Sequence, residues 1–458
     1  MKRVFWGLSV LLFSTALSAE TLEEAFLASY QNNPTLKAER AKLRATDESY
    51  SQASSGWRPT LKVVGDVSYV DTSLKLKDGT RNDSDRVPYG GSVVLTQPIF
   101  SGYETVASQK SAENTIKAGR YSLKKVEQDL LTATAKAYTD VVCAEAALRL
   151  NQNKEQVYHK HVEESKQKYE VGEITITDYA QSEARYEGAK ADRIAAEGNL
   201  KNAKTYYETV TGVAPVKIDE FPVVPAALMN DNFDDTLNKA LTDNPEIMSA
   251  VYMEKSARND VTKAGSDLLP SLDASASGSL GRNQQYDDDK YREFRAVATL
   301  TIPLYEAGLS YSKVRQAKQI ANQKRLDIDT VRLKVKNNVF ESWENLVATK
   351  AKLNAYKSQI KAYEIAVEST RREWEVGTKT MVDVMDAEQE LLDAKLNEIK
   401  AKGDEVVESF NLIALCGNLT MDNLNIGAEI YDPVANYEKV KGKWFGTGIK
   451  EEKTGKAK

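Results

Sequence analysis

The stretch that decides the fold occurs twice, as Tyr169-Glu170-Val171-Gly172-Glu173-Ile174-Thr175-Ile176-Thr177-Asp178 and as Trp374-Glu375-Val376-Gly377-Thr378-Lys379-Thr380-Met381-Val382-Asp383. Gly172 and Gly377 lie 205 residues apart, and the same 205 residues separate Asp178 from Asp383. A chain that repeats over so long a period consists of copies of one structural unit. The sequence therefore predicts two halves with a shared architecture.

A second set of matches extends the repeat toward the N-terminus. Asn33-Pro34 recurs as Asn244-Pro245, and Pro59 recurs as Pro270, both at an offset of 211. Each half is predicted to run from a helical segment through a β-hairpin and a long helical hairpin to an irregular segment. The first half spans 20–235, with its β-hairpin at 60–100 and its helical hairpin at 102–212; the second spans 236–445, with the same elements at 271–305 and 306–417; and residues 446–458 form a Lys- and Glu-rich tail that is predicted to be disordered.

The first 19 residues have the pattern of a secretory signal peptide. Lys2 and Arg3 precede an apolar run from Val4 to Leu17, and small residues follow it. Cleavage is predicted after Ala19, and Ala16-x-Ser18 is a competing site. Beyond this segment no apolar run reaches the roughly 18 residues that a spanning helix needs, which excludes a helical membrane protein.

Composition excludes several classes of function. A net charge of −5 and a pI near 5.6 leave no cationic footprint for nucleic acid. Cys143 and Cys416 lie in apolar helical stretches and are interpreted as small buried hydrophobes. His159 and His161, two residues apart, cannot share a helix face as metal ligands do. The sequence therefore predicts no metal, no cofactor and no catalytic constellation.

Four segments alternate between apolar and polar side chains, as strands between an apolar and an aqueous phase do. They cover residues 61–69, 91–100, 272–280 and 294–304, and each is close to the length of a tilted membrane-spanning strand. Polar loops, Asp71 to Gly90 and Arg282 to Glu293, join them and are expected to face outward into solvent.

Soluble hairpins packed on helices are the alternative interpretation of these strands, and the signal peptide favours the outer membrane. Four strands cannot close into a barrel, and an open edge cannot lie in lipid. A barrel would therefore have to be shared between chains.

The rest of the chain is predicted to be helical. No proline occurs from Gly308 to Trp374, and apolar side chains there recur mostly at three- and four-residue spacing, which is typical of coiled-coil packing. The first half repeats this register from Gly102 to Tyr169. An unbroken helix of that length spans roughly 100 Å. Gly172 and Gly377 suit left-handed turns, so we expect the helices to reverse there and form two tips.

The aspartates after each tip have a structural interpretation. Thr175-x-x-Asp178 and Thr380-x-x-Asp383 match helix starts in which Thr caps the helix and Asp favours its dipole. The halves nevertheless differ at two positions that capping does not require. Ile174 becomes Lys379, and Gln181 becomes Asp386.

Over essentially the whole mature chain, this layout resembles the TolC family of outer-membrane channel-tunnels. The most specific motifs are Gln97-Pro98-Ile99-Phe100-Ser101-Gly102, Ile302-Pro303-Leu304-Tyr305-Glu306-Ala307-Gly308 and Val376-Gly377-Thr378-Lys379-Thr380-Met381-Val382-Asp383-Val384-Met385-Asp386. The segment from Tyr431-Asp432-Pro433 through Tyr437 to Lys443-Trp444 is similar to the type I secretion branch of that family.

The resemblance implies an α+β fold: a homotrimer with a 12-stranded membrane β-barrel, four strands per chain, continued by a long coiled-coil α-helical barrel. It implies a passive exit duct in the outer membrane that extends into the periplasm. Its partners would be outer-membrane lipid, a periplasmic adaptor and an inner-membrane ABC, RND or MFS transporter. Its cargo would be secreted proteins, small toxic compounds, or both.

The resemblance also assigns roles at the tips. Asp178, Trp374 and Lys379 match the links that hold the periplasmic gate shut, and the last two stand where the family often has Tyr and Arg. Asp383 and Asp386 match stacked acidic rings at the entrance, and the turns at Gly172 and Gly377 match the adaptor contacts. A structural or adhesive periplasmic coiled coil without channel activity is the competing function.

Overall fold

The computed structural model describes residues 21–449 except 219, 231, 287 and 428, so the predicted signal segment lies outside the described residues. The first half contains α1 (Leu22–Asn32), α2 (Pro34–Ser54), β1 (Thr60–Val67), β2 (Val70–Lys75), β3 (Arg81–Arg86), β4 (Tyr89–Ser101), α3 (Glu104–Glu170) and α4 (Ile176–Thr211). The second contains α5 (Phe233–Asp243), α6 (Pro245–Ser266), β5 (Ser271–Arg282), β6 (Lys290–Thr301), α7 (Leu309–Glu375), α8 (Met381–Leu415) and α9 (Ala435–Val440). Within these residues, no helix combines the length and apolar character of a membrane span.

The repeated Asn-Pro pairs mark the same structural joint in each half. Asn33 and Asn244 each end one helix and cap the next, and their side-chain oxygens accept hydrogen bonds from two backbone N–H groups of α2 or α6. The following proline occupies the first helical position, where no N–H is needed. The two amide groups also donate to carbonyls at the ends of the returning helices, Val210 at 3.0 Å and Leu415 at 2.9 Å. Each joint thus fastens a short helix pair to the end of a long hairpin.

The main sheet has four antiparallel strands in the order β1-β4-β5-β6. Its register pairs Thr60 with Thr96, and Ser271 with both Ser101 and Thr301, so the start of β1 and the end of β6 lie at the same end of the sheet. Apolar side chains on its surface are strongly exposed within the chain; they include Leu61, Val63, Val67, Leu280, Phe294 and Leu300. A single chain therefore leaves an apolar surface and two sheet edges uncovered.

The loop predicted from Asp71 to Gly90 is mostly a β-ribbon, which corrects the prediction. Strands β2 and β3 pair from Val70↔Arg86 to Lys75↔Arg81 around a turn at Gly79. Strand β3 consists of polar residues only, so alternation of apolar residues could not reveal it, and in β2 the alternation is limited to Val70 and Leu74. The ends of β6 and the C-terminal region also differ from expectation: residues 302–304 are outside β6, and α9 forms within the segment that was predicted to be irregular.

The helices α3 and α7 both contain 67 residues, which gives each a length of about 100 Å. The largest core lies midway along the molecule, where α1, α2, α3, α4 and α8 bury Phe26, Leu131, Tyr207 and Phe410. A second core joins α5, α6 and α7 around Ile247 and Val339. Both cysteines are free thiols; burial raises the pKa of Cys143 to about 12 and that of Cys416 to about 11, consistent with their interpretation as packing residues.

Candidate entrance site at the helical tips

The two tips are sharp helical turns with the same backbone geometry. Gly172 and Gly377 have φ of +81° and +82°, a left-handed conformation that glycine adopts without strain. The N–H of Glu173 donates to the carbonyl of Lys168, and that of Thr378 donates to Glu373, both at 2.9 Å. These bonds close the last turn of α3 and α7 and reverse the chain into α4 and α8.

Each returning helix begins with a complete capping box. The hydroxyl of Thr380 accepts a hydrogen bond from the N–H of Asp383 at 3.2 Å, and the Asp383 carboxylate accepts from the Thr380 N–H and hydroxyl, both at 2.8 Å. Thr175 and Asp178 repeat this arrangement. Hydrogen bonds from Thr380, aided by the charge of Lys379, lower the pKa of Asp383, so this carboxylate is ionised at neutral pH. The capping interpretation of both aspartates is therefore correct.

The predicted partnership between Lys379 and Asp178 is not formed within one chain. Among the described residues no ion pair joins them, and the Asp178 carboxylate is engaged by Thr175 instead. Lys379 is exposed and exerts its charge on Asp383 of its own helix start.

Asp386 has a partner that the sequence interpretation missed. Its carboxylate lies 2.6 Å from the guanidinium of Arg185, and both side chains are half exposed. Arg185 belongs to α4 and Asp386 to α8, so the pair bridges the returning helices of the two halves. Asp383 and Asp386 are separated by about one helical turn of α8. Each carboxylate has a positively charged side chain nearby, Lys379 for Asp383 and Arg185 for Asp386.

Trp374 belongs to a small core where all four tip helices meet. Its ring packs against a cluster formed by Tyr158, Ala189, Met381, Val384 and Met385. The ammonium of Lys168 lies 4.2 Å from the centroid of its ring, a cation–π contact that joins the ends of α3 and α7. The aromatic residue predicted to take part in the gate is thus a packing residue within its own chain.

Two buried polar contacts join α3 to α8 at this core. The hydroxyl of Tyr158 donates to the carbonyl of Met385 at 2.5 Å, and burial raises the pKa of this phenol. The Nε2 atom of His161 lies 3.2 Å from both carboxylate oxygens of Glu388, and the His161 side chain is only 6 % exposed. These contacts fix α8 against α3 at a point where water is excluded.

The missed residues left only weak signals in the sequence. At the 205-residue offset, Arg185 is equivalent to Glu390, and Gln181 is equivalent to Asp386. The first position therefore carries opposite charges in the two halves, and the second position is charged only in the second half. That asymmetry indicates a contact between the halves. It does not identify the partner, because the register of α4 against α8 is a tertiary feature. Among residues 21–449 apart from the four gaps, no three potential metal ligands cluster.

The chain is an elongated helical element with an exposed sheet at one end and charged helical turns at the other. The sequence profile of the family described as outer membrane efflux protein matches residues 28–213 and 236–418. BepC of Brucella suis biovar 1, described as an outer membrane efflux protein, is 30% identical over 445 residues, which cover 96% of this chain and 95% of BepC. TolC of Salmonella enteritidis is 27% identical over 434 residues, covering 91% and 86%. The solved outer membrane channel CmeC of Campylobacter jejuni matches with a TM-score of 0.77 at 16% identity, over 92% of this chain and 89% of CmeC.

These similarities place the molecule among the outer-membrane channels. The chain belongs to the outer membrane efflux protein family, and the resemblance to TolC is confirmed. It is an exit duct of an export system, located in the outer membrane and extending into the periplasm. Members of this family are passive channels, so the chain is not an enzyme. Its helix-dominated fold with few strands is that of the family.

Proposed function

We propose that three copies of this chain form the duct, with their sheets closing a 12-stranded barrel and their long helices continuing it as a tunnel. The supporting observation is the open sheet of four strands. Strands β1 and β6 each pair on one side only among the described residues, and the apolar surface between them is exposed. An unpaired strand edge is not tolerated in the hydrocarbon core of a membrane, whereas three times four strands remove every edge.

We propose that the repeat boundaries coincide with the two halves predicted from the sequence, and that each half contributes one β-hairpin and one helical hairpin to the duct. The paired lengths of α1 and α5, and of α3 and α7, support this division. Under this arrangement the turns at Gly172 and Gly377 lie at the periplasmic end. Their exposed neighbours Val171 and Val376 are available for contact with a periplasmic adaptor.

The entrance is proposed to combine Asp383 and Asp386, with Asp178, Trp374 and Lys379 acting in its closure. Within one chain Asp178 is used by its capping box, so its gate contact would be made by Lys379 of a neighbouring copy. Trp374 would act by holding α7 and α8 together through the tip core rather than by a hydrogen bond. The charge of Asp386 is partly offset by Arg185, which makes the entrance less acidic than the carboxylates alone suggest.

The proposed partners are a periplasmic adaptor and an inner-membrane transporter of the ABC, RND or MFS type, which supply the contact and the energy that a passive duct lacks. The proposed cargo is secreted protein, small toxic compounds, or both. Secretion is supported by the segment from Tyr431 to Trp444, which resembles the type I branch and contacts α2 at three positions. Deletion of the gene, followed by measurement of drug susceptibility and of the proteins in the medium, separates the two cargo classes.

The assembly is tested by purifying the mature protein in detergent and measuring its mass by light scattering corrected for bound detergent. A trimer with conductance in planar bilayers is the expected result. A stable, folded monomer would contradict the shared barrel. A trimer that never conducts would instead favour the competing function, a periplasmic scaffold.

A further inference from the structure

The C-terminal strap, residues 431–445, runs along α2 toward the sheet. Its contacts fall on Arg40, Asp47 and Ser51 of α2, at spacings of seven and four that place them on one helix face. From Arg40 to the end of α2 this face is about 21 Å long. The strap therefore connects the middle of the molecule to the base of the sheet.

The first half of the strap, from Tyr431 to Asn436, is held in place by contacts with aromatic and charged side chains. The Arg40 guanidinium carbon lies 4.4 Å from the centroid of the Tyr30 ring and 5.2 Å from that of Tyr431. The N–H of Tyr431 donates to the Tyr30 hydroxyl at 3.0 Å. Farther along, the amide of Asn436 donates to the fully buried carboxylate of Asp47 at 2.8 Å. Buried charge-assisted bonds of this kind hold a segment in one position rather than letting it slide.

The last residues of the strap, Lys443 and Trp444, are bound next to the start of β1. The carbonyl of Lys443 accepts hydrogen bonds from the Arg58 guanidinium at 2.9 Å and the Ser51 hydroxyl at 3.3 Å. The Arg58 guanidinium carbon also lies 4.9 Å from the centroid of the Trp444 ring. Because Arg58 is two residues before β1, these contacts place Trp444 near the first residues of β1.

Trp444 and Phe445 are 58 % and 87 % exposed although the backbone that carries them is well fastened. Other exposed apolar side chains lie at the same end of the sheet, because the antiparallel register places the start of β1 and the ends of β4 and β6 at that end. These side chains are Trp57, Tyr103, Leu304 and Tyr305. Trp444 and Phe445 thus lie at the same end of the sheet as these exposed apolar side chains.

We infer that Trp444 and Phe445 insert into the periplasmic leaflet of the outer membrane and anchor the strap there. Tryptophan and other aromatic side chains favour the boundary between headgroups and acyl chains. Lys443 and Arg58 flank them with positive charge, which suits anionic phospholipid headgroups. The inference rests on the proposed function, since it takes the sheet to be inserted in the membrane. It adds a lipid-binding element from outside the sheet.

Fluorescence quenching by brominated phospholipid tests this inference. The chain has five tryptophans, and Trp6 lies in the predicted signal peptide, so Trp57→Phe, Trp343→Phe and Trp374→Phe leave Trp444 as the only fluorophore in the mature chain. The protein is reconstituted into vesicles of phosphatidylethanolamine and phosphatidylglycerol, with and without phosphatidylcholine that is brominated near the headgroup. The expected result is loss of Trp444 emission in the brominated vesicles, and a smaller loss when Arg58→Ala releases the strap.

A matched protein that keeps only Trp343 is the control. Trp343 packs 5.9 Å from Phe233 in the helical region, so its emission is expected to be the same in both lipids. If a triple variant folds poorly, the fraction of native fluorescence that is quenched is compared between the unmodified chain and Trp444→Ala. That fraction is expected to fall when Trp444 is removed.

Vesicle flotation separates the two ways in which the inference could fail. Protein that does not float with the vesicles would contradict membrane insertion and hence the proposed function. Protein that floats and conducts but keeps full Trp444 emission would overturn the lipid anchor alone. If that emission then shifts to the red when the trimer is dissociated, the strap is covered by a neighbouring copy instead of lipid.

Discussion

Replacing Arg185 by glutamine is expected to make the entrance more selective for cations. Arg185 pairs with Asp386 across α4 and α8 at 2.6 Å, and Lys379 lies near Asp383. In the unmodified chain these four side chains sum to zero charge. Arg185→Gln leaves a net charge of −1 in each chain, and therefore −3 in the proposed trimer, while preserving a side chain that can donate to Asp386.

The size of the effect follows from Coulomb's law. A monovalent cation about 5 Å from one carboxylate in a water-like dielectric is stabilised by about 0.8 kcal/mol, so three carboxylates give about 2.5 kcal/mol. Screening in about 0.1 M salt reduces this to about 1.5 kcal/mol, which is roughly a tenfold increase in local cation concentration. Stability changes little, because an exposed ion pair contributes only about 0.2–1 kcal/mol.

The measurement is the reversal potential of single trimers in planar bilayers under a KCl gradient, together with block by a trivalent cation added on the periplasmic side. Arg185→Gln is expected to shift the reversal potential toward that of K⁺ and to strengthen the block, whereas Asp386→Asn shifts both in the opposite direction. Arg193→Gln is the matched control, because Arg193 lies farther along α4 and forms partly exposed ion pairs with Glu155 of α3 and Glu197 of α4. Equal reversal potentials for the Arg185 and Arg193 variants would refute the placement of Asp386 on the ion path.

Three further outcomes are expected. Lys379→Glu places a like charge beside Asp383 and should raise resting conductance and vancomycin sensitivity; unchanged leakage at normal expression would reject a role in closure. Thr380→Ala removes a capping box and should lower the free energy of unfolding by about 1 kcal/mol. Because the folded-state pKa of Asp383 is lowered, this loss of stability should be present above about pH 4 and shrink as the pH falls further. Thermal unfolding at several pH values is the measurement. Tyr158→Phe should cost about 0.5–1.5 kcal/mol in denaturant unfolding, because it removes a buried hydrogen bond to a carbonyl that is also bonded within α8, whereas Tyr363→Phe, the equivalent change at a hydroxyl whose hydrogen bond with Gln359 is exposed, should have little effect.

The long helices were predictable because their limits are set locally. The sequence placed the first from Gly102 to Tyr169, and the structure has it from Glu104 to Glu170. Glycines mark the ends, and regular apolar spacing without proline fills the interior, so no tertiary information is required. The ribbon of β2 and β3 lacked any such signal. Its strands pair through backbone hydrogen bonds, and the all-polar sequence of β3 gives the short apolar alternation of β2 no recognisable partner.

The candidate site was predictable only in part, for the same reason. Thr380 and Asp383 lie three residues apart, and their capping box follows from that spacing. The contacts of Asp386 with Arg185, and of Tyr158 with Met385, join residues 201 and 227 positions apart. Such contacts depend on how one helical hairpin packs against the other. The duplicated sequence shows that both hairpins exist, but it does not give their relative register.

The contacts at the tip differ in strength in a way that bears on opening. Arg185 and Asp386 are half exposed, so their pair opposes separation of α4 from α8 by at most about 1 kcal/mol in each chain. The bond from Tyr158 to Met385 is buried, and breaking it leaves the buried Tyr158 hydroxyl unsatisfied at a cost of about 1–3 kcal/mol. If the proposed entrance opens by movement of the returning helices, the pair of Arg185 and Asp386 would therefore break before the buried contact between Tyr158 and Met385. Because the pair lies only a few turns from Gly377, an adaptor that contacts the turn would have to overcome the weaker of the two contacts and could leave the tip core intact.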